Sequence, residues 1–444
     1  MRTPRYSLLF LLLSAPALAA VPATAPGDVS ARVAAALAKG DLIARITTVE
    51  DFKAMFGPPS KEDARPDGGG RFVELFYPGE TSAGFKQVVK EGPTTLLRVV
   101  LKGRWLDLGK PRLRSNADLL KLDKFLGLAE VSLAQLDLRA SGELLAHSAF
   151  DSKTEWPAKD RLPAGFDPEK VLSQGKNPGL GVRQLQREGF DGRGVAIAII
   201  DQPLLPGHRE YASRLVYYDA TRVPGMPAQM HGPSVASFAV GREIGTAPAA
   251  LLYYFAVPTW VPDNQHYADV LRDIIELNKK APEDRKIRVV SLSTGMFKQQ
   301  KNLDKWREAL GEAEKSGILV ITCDPETMDF GNLTRAMDKD PDSPESYAPE
   351  SWDKKAHSLW VPGGNRTRAS YKGEADYAFD VDGGRSWSTP YLAGVAALGY
   401  QVNPALSPAQ VKELLIKSAT PSKSGPILNP RGFVELVKAT AKSP

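Results

Sequence analysis

Four short apolar segments recur through the middle of this 444-residue chain: Val195 to Ile200, Leu251 to Val257, Ile287 to Leu292 and Ile318 to Ile321, with helical stretches between them. Runs this short and this poor in polar residues suit strands covered on both sides, and their alternation with helices predicts an α/β fold, a parallel sheet with helices on both faces. Val270, Leu271, Ile274 and Ile275 share one face of an intervening helix, and Trp306 with Leu310 begins another. Open sheets of this kind bind ligands beyond the carboxyl ends of their strands, so residues with reactive side chains are expected there.

The sequence before these strands has a different texture. Residues 28–155 read as a small α+β domain, with helices at Val33 to Ala38 and Val49 to Phe56 and strands at Phe72 to Tyr77 and Thr95 to Leu101. Asp67 to Gly70 forms a turn, and Leu128, Leu133, Leu136 and Leu138 supply core. Residues 156–180, rich in proline, glycine and lysine, read as the linker to a domain spanning 181–444. Residues 1–19 place Arg2 and Arg5 before Leu8 to Leu13 and end in Ala17-Leu18-Ala19, the pattern of a secretory signal peptide. Its apolar core is too short to span a bilayer, so the mature protein is expected to be secreted or periplasmic, without a membrane anchor.

Composition narrows the partners. Cys323 is the single cysteine, which excludes an intramolecular disulfide and a cysteine-rich metal site. The formal charge is +5, and two of those charges, Arg2 and Arg5, leave with the leader. With no dense basic tract, nucleic acid is not an expected partner. Asp338 to Asp342 is acidic but lacks an EF-hand pattern, so no metal and no cofactor are expected.

The segment Gly384-Arg385-Ser386-Trp387-Ser388-Thr389-Pro390 leads into a helix of small residues, Ala393, Gly394, Ala396 and Ala397. Pro390 is expected in its first turn, where a missing N–H is tolerated. Ser386 then stands at a helix N-terminus, as a simple cap or as a nucleophile favoured by backbone donors and the helix dipole. A serine nucleophile needs a histidine base and a carboxylate to orient it. Of the five histidines, His147 falls in the N-terminal domain, His208 in a turn, His266 at a helix start and His357 in a lysine-rich loop, all read as surface or turn residues. His231 opens a small-residue helix, and Asp201 ends an apolar strand, where a charge requires a partner. No aspartate or histidine follows Ser386, which excludes the serine–acid–histidine order of the α/β-hydrolases; the order Asp201, His231, Ser386 is the subtilisin one.

From about Gly181 onward the chain resembles subtilisin-like serine proteases in four segments. Gly194-Val195 leads into Asp201, and His231-Gly232 with Val235-Ala236 is followed by Gly245-Thr246-Ala247-Pro248. Ser291-Leu292-Ser293-Thr294-Gly295 resembles the substrate-binding strand, and Ser386 to Gly394 the serine segment. The resemblance implies that Asp201 orients His231, that His231 takes the proton of Ser386 as it attacks a peptide carbonyl, and that Ser293, Thr294 and Gly295 pair with extended substrate. It also implies an asparagine oxyanion donor after the fourth strand, where this chain has Asp324; a protonated Asp324 or the nearby Asn332 is the expected substitute. Trp387 stands in place of the usual methionine, and Arg385 is expected to reach solvent or to favour an acidic substrate residue. The N-terminal domain is placed like a propeptide, as an intramolecular inhibitor or a permanent accessory domain. The alternative to an endopeptidase is a pseudoprotease that keeps the fold for binding or regulation.

Overall fold

The computed structural model of the chain describes residues 28–441, except 68–69, 88–93, 107, 120, 123–126 and 354. The expected signal peptide and part of the expected Asp67 to Gly70 turn therefore lie outside the described residues. The chain divides into two compact units, one ending at Pro111 and the other running from Arg112.

The first unit has two helices, α1 (Val29–Lys39) and α2 (Val49–Phe56), and an antiparallel meander of β1 (Lys61–Asp67), β2 (Gly70–Tyr77), β3 (Thr81–Gln87), β4 (Thr95–Leu101) and β5 (Arg104–Leu106). Asp28 caps α1 through the Ser30 N–H, and Thr48 with Asp51 forms a reciprocal capping box on α2. Val73, Leu75 and Tyr77 alternate inward along β2 and join Val33, Phe52, Phe85, Leu96 and Val99 in one core. Strand β1, Lys-Glu-Asp-Ala-Arg-Pro-Asp, carries no apolar alternation because it is the sheet's edge, where charge and proline discourage further pairing.

The second unit begins with short helices α3 (Asn116–Leu119) and α4 (Gly142–Ala146) and strand β6 (Phe150–Asp151). This corrects the expected boundary: residues 112–155 belong here, because β6 pairs with β16 (Tyr377–Asp380), Phe150 opposite Phe379. Leu128, Leu133, Leu136 and Leu138 are buried, as core residues should be. The expected linker is also structured. Helix α5 (Pro168–Gly175), capped by Asp167, packs so closely on β15 (Arg366–Ala369) that Thr367 Oγ1 donates to the Leu172 carbonyl at 2.8 Å.

After α6 (Val182–Arg187) comes a five-stranded sheet, every pair of it parallel, in the order β11-β10-β7-β9-β8. These strands are β7 (Ala196–Asp201), β8 (Leu215–Asp219), β9 (Leu251–Ala256), β10 (Ile287–Leu292) and β11 (Leu319–Thr322). Successive side chains enter two different cores. Ile197 and Ile199 face α7 (His231–Val240) and α10 (Arg385–Val402), whereas Ala196, Ala198 and Ile200 face α8 (Gln265–Lys280) and α9 (Leu303–Lys315). Two three-stranded sheets complete the unit, one of β12 (Gly331–Arg335), β13 (Tyr347–Pro349) and β14 (Trp360–Pro362), the other of β15, β16 and β6, with α11 (Pro408–Lys417) and α12 (Pro430–Ala441) at the end.

Helix α10 crosses α7 at very close range. A Cβ on Gly394 would fall 1.7 Å from Thr246 Oγ1 and 3.2 Å from the Ala239 carbonyl, so only glycine fits. Gly394→Ala is expected to cost about 1–3 kcal/mol through this overpacking, read as a lower urea midpoint at unchanged m-value. An unchanged midpoint would show that the helices slide apart without penalty.

Candidate active site

Asp201 ends β7 and is 1% exposed. Its Oδ1 accepts from the Gln202 N–H and from His231 Nδ1, each at 2.7 Å. Because an ionised carboxylate only accepts, Nδ1 carries the imidazole proton and Nε2 is left with its lone pair. The approach of α7 to the end of β7 depends on Gly232, whose Cβ would lie 2.4 Å from the Gln202 carbonyl and 2.7 Å from the Tyr254 hydroxyl. The His231 ring lies against the indole of Trp387, with centroids 5.1 Å apart, and Trp387 also packs on Phe238. Trp387 is the residue after Ser386, so the first turn of α10 and His231 share one packing surface.

Ser386 lies in that first turn, after the extended Gly384. The helix begins at Arg385, which puts Pro390 inside it rather than in its first turn as expected. A proline there leaves the carbonyl four residues earlier, that of Ser386, without its helical N–H. Ser293 Oγ fills the gap, donating to the Ser386 carbonyl at 2.9 Å, while Ser386 Oγ donates to the Ser293 carbonyl at 3.3 Å. Ser293 follows β10, and Thr294 beyond it accepts the Cys323 N–H at 3.0 Å, which extends the pairing of β10 and β11. Gly295 lies beside the exposed ring of Phe297. The structure therefore joins Asp201 to His231 and Ser386 to Ser293.

The two expected oxyanion donors are placed otherwise. Asp324 accepts at both oxygens, from the Glu326 N–H at 2.9 Å and the Met296 N–H at 3.3 Å. Asn332 is completely buried in β12, with Oδ1 accepting from the Ser388 hydroxyl, beneath the helix. Burial pushes the pKa of the Cys323 thiol, beside Asp324, up to about 11 against the smaller influence of Thr389 and Ser386, which disfavours the thiolate.

Two histidines differ from expectation. His208 is fully buried, accepts the Glu210 N–H and bonds the Asp376 carbonyl through Nε2, and burial holds its pKa down, so it serves as a neutral structural link. The His357 side chain is only 4% exposed. Its Nδ1 meets Asp329 and its Nε2 meets Asp353, both at 2.8 Å, with its ring edge-on to Trp360. Arg385 keeps its side chain 24% exposed but turns back on the protein, its Nη2 donating to Asp353 at 3.2 and 3.4 Å. The only trace of this cluster in the sequence is the four-residue spacing of Asp353 and His357; nothing local links either to Arg385. Burial works to raise the Asp353 pKa, but bonds from His357, the Asn332 N–H and Arg385 outweigh it and hold the carboxyl below its usual range.

The sequence profile of the Subtilase family matches residues 192–324 and 325–434, more than half of the chain, and the chain belongs to that family. It is 27% identical over 286 residues to serine protease AprX of Bacillus subtilis (strain 168), covering 52% of this chain and 63% of that protein. It is 25% identical over 262 residues to subtilisin-like protease 1 of Pseudogymnoascus destructans, covering 56% of this chain and 62% of that protein. The chain spans less than two thirds of the length of these curated relatives. Among solved structures, the prenylagaramide maturation protease PagA is similar over 58% of this chain and 99% of its own, at TM-score 0.43 and 18% identity.

A depressed carboxyl pKa contributes stability that is present above the unfolded value of about 4 and is lost as pH falls through the folded value. Asp353→Asn is therefore expected to be less stable than wild type at pH 7, by about 1–3 kcal/mol for the donors left unpaired, with the gap narrowing below pH ~4 in urea titrations. A gap that stays constant down to pH ~2 would take the Asp353 charge out of the account.

Proposed function

We propose that this chain is a serine endopeptidase that hydrolyses peptide bonds through Asp201, His231 and Ser386. The observation that carries the reading is the 2.7 Å bond from His231 Nδ1 to the buried Asp201, with the imidazole laid on Trp387 next to Ser386. Asp201 fixes the tautomer, so Nε2 is the base. As substrate enters, the Ser386 hydroxyl turns from the Ser293 carbonyl to His231, a tightening common when a resting site fills. Ser386 Oγ bonds to the peptide carbonyl carbon while its proton passes to Nε2. Collapse of the tetrahedral adduct breaks the C–N bond, and Nε2 protonates the departing amine. Water, activated by the same imidazole, then hydrolyses the acyl-enzyme.

Extended substrate fits along Thr294 and Gly295, where backbone pairing reads shape more than sequence. The leader pattern supports an activity outside the cytoplasm, and the unit ending at Pro111 precedes the protease unit in sequence, as an intramolecular inhibitor or a permanent accessory domain would. A second reading, a pseudoprotease, is favoured by one observation, the acceptor role of Asp324.

A fluorophosphonate probe separates the two. Wild type should be labelled on Ser386 and should degrade casein. Ser386→Ala and His231→Ala should each lose about 10⁶-fold in kcat, as for other residues that act as a unit. Folded wild type that takes up no label would decide for the pseudoprotease.

A further inference from the structure

Attack by Ser386 creates a cation inside the protein. When His231 Nε2 takes the hydroxyl proton the imidazole becomes an imidazolium, and its side chain is only 19% exposed, so water reaches little of that charge. Asp201 meets the charge in the plane of the ring, through Nδ1 at 2.7 Å. The face of the ring is met by Trp387.

The His231 and Trp387 rings have centroids 5.1 Å apart and planes inclined by 33°, an offset stack rather than an edge contact. An indole face is negative, and it attracts a cation within about 6 Å of its centroid more strongly than the face of a phenylalanine or tyrosine does. The indole is packed in place. It is 8% exposed, its centroid lies 5.5 Å from that of Phe238, and the Arg368 guanidinium lies 5.9 Å from it. Arg368 is held in turn, by Asp380 at 2.5 and 3.2 Å and by Ser234 Oγ at 3.3 Å, close to one turn beyond His231. The elements packed around the imidazole therefore bring Asp201 from β7, Arg368 from β15 already paired with Asp380, Arg385 from α10 turned to Asp353, and from β9 the Tyr254 hydroxyl, which burial keeps neutral.

We propose that Trp387 is a positioning residue for the base, its indole face holding the His231 ring and stabilising the imidazolium that forms as Ser386 attacks; this rests on the serine-protease reading above. Because Trp387 follows Ser386 in the first turn of α10, nucleophile and ring support are carried by one turn. An aliphatic side chain of similar bulk fills the same space without the negative face, so its defect lies in proton uptake by His231. Removing the face disfavours the protonated imidazole, which moves the acid edge of activity to lower pH.

The test uses the full chain, with the rate of fluorophosphonate labelling followed against pH and casein hydrolysis beside it. Trp387→Leu should label to the wild-type stoichiometry but about 2- to 30-fold more slowly on the pH plateau, with its acid-side midpoint about 0.5–1 pH unit lower. Trp387→Phe, which keeps a weaker face, should fall between the two. Tryptophan carrying one to four ring fluorines, placed at position 387 alone, keeps the ring's shape and withdraws its π density. Labelling should slow and the midpoint should drop in step with fluorination, at an unchanged urea midpoint. If Trp387→Leu does not fold, this series carries the test by itself. Fluorinated chains with wild-type rate and midpoint overturn the proposal and leave the protease reading standing. A Trp387→Leu chain that is slow with an unmoved acid midpoint reduces Trp387 to packing, which also overturns it. Wild type that takes no label overturns both readings.

Discussion

Two reciprocal hydrogen bonds between Ser293 and Ser386 clasp the start of α10 to the end of β10. One of them exists because Pro390 removes a helical donor and leaves the Ser386 carbonyl open. The break in helical bonding thus becomes a tie to the sheet, and the tie sets where the hydroxyl stands relative to the strand ends. Gly394 and Gly232 act on the same geometry from the packing side, by letting α10 reach α7 and α7 reach β7. A site assembled from two helix N-termini and three strand ends is accurate only as far as those contacts are close.

Behind the clasp the second unit buries a set of polar groups with matched partners. Ser388 reaches Asn332, Asn332 and Arg385 reach Asp353, and Glu350 accepts the Gly383 N–H at 2.9 Å. Each group would be costly alone, and these bonds hold them in place. The glycine turn that delivers Ser386 is therefore held by carboxylates from another sheet rather than by its own short side chains.

Much of this was legible in the sequence where one element alone decides the pattern. The runs around Ile197, Val289 and Ile321 announced buried parallel strands, and α2 and β4 carried their ends in their residues. Asp201 and His231 were legible because a charge at the end of an apolar strand and a histidine at the entry of a small-residue helix each need a partner. What was not legible depended on distant contacts. Strand β1 is all charge and proline and forms only against β2. Residues 112–155 looked like the end of an N-terminal domain, yet β6 completes a sheet with β16 more than two hundred residues later. Helix α5 was masked by proline and glycine, residues that serve a helix start and a close contact as well as they serve a linker. His357, in a run of lysines, gave no hint of burial because its two carboxylates come from Asp329 and Asp353.

The chain's departures from its family are coupled rather than independent. An arginine in the first turn of an otherwise uncharged helix is ordinarily driven to solvent. It stays folded back here because Asp353 takes its charge, and Asp353 can be buried at 3% side-chain exposure because His357 and the Asn332 N–H share it. His357 faces a carboxylate with each ring nitrogen, and its second carboxylate, Asp329, sits just after β11, five residues beyond Asp324. Changing any one member leaves a buried charge uncompensated. A residue-by-residue comparison at position 324 or 385 therefore misjudges the site, since the side chain at either position has its meaning only with the whole chain from Asp329 to Arg385 in place.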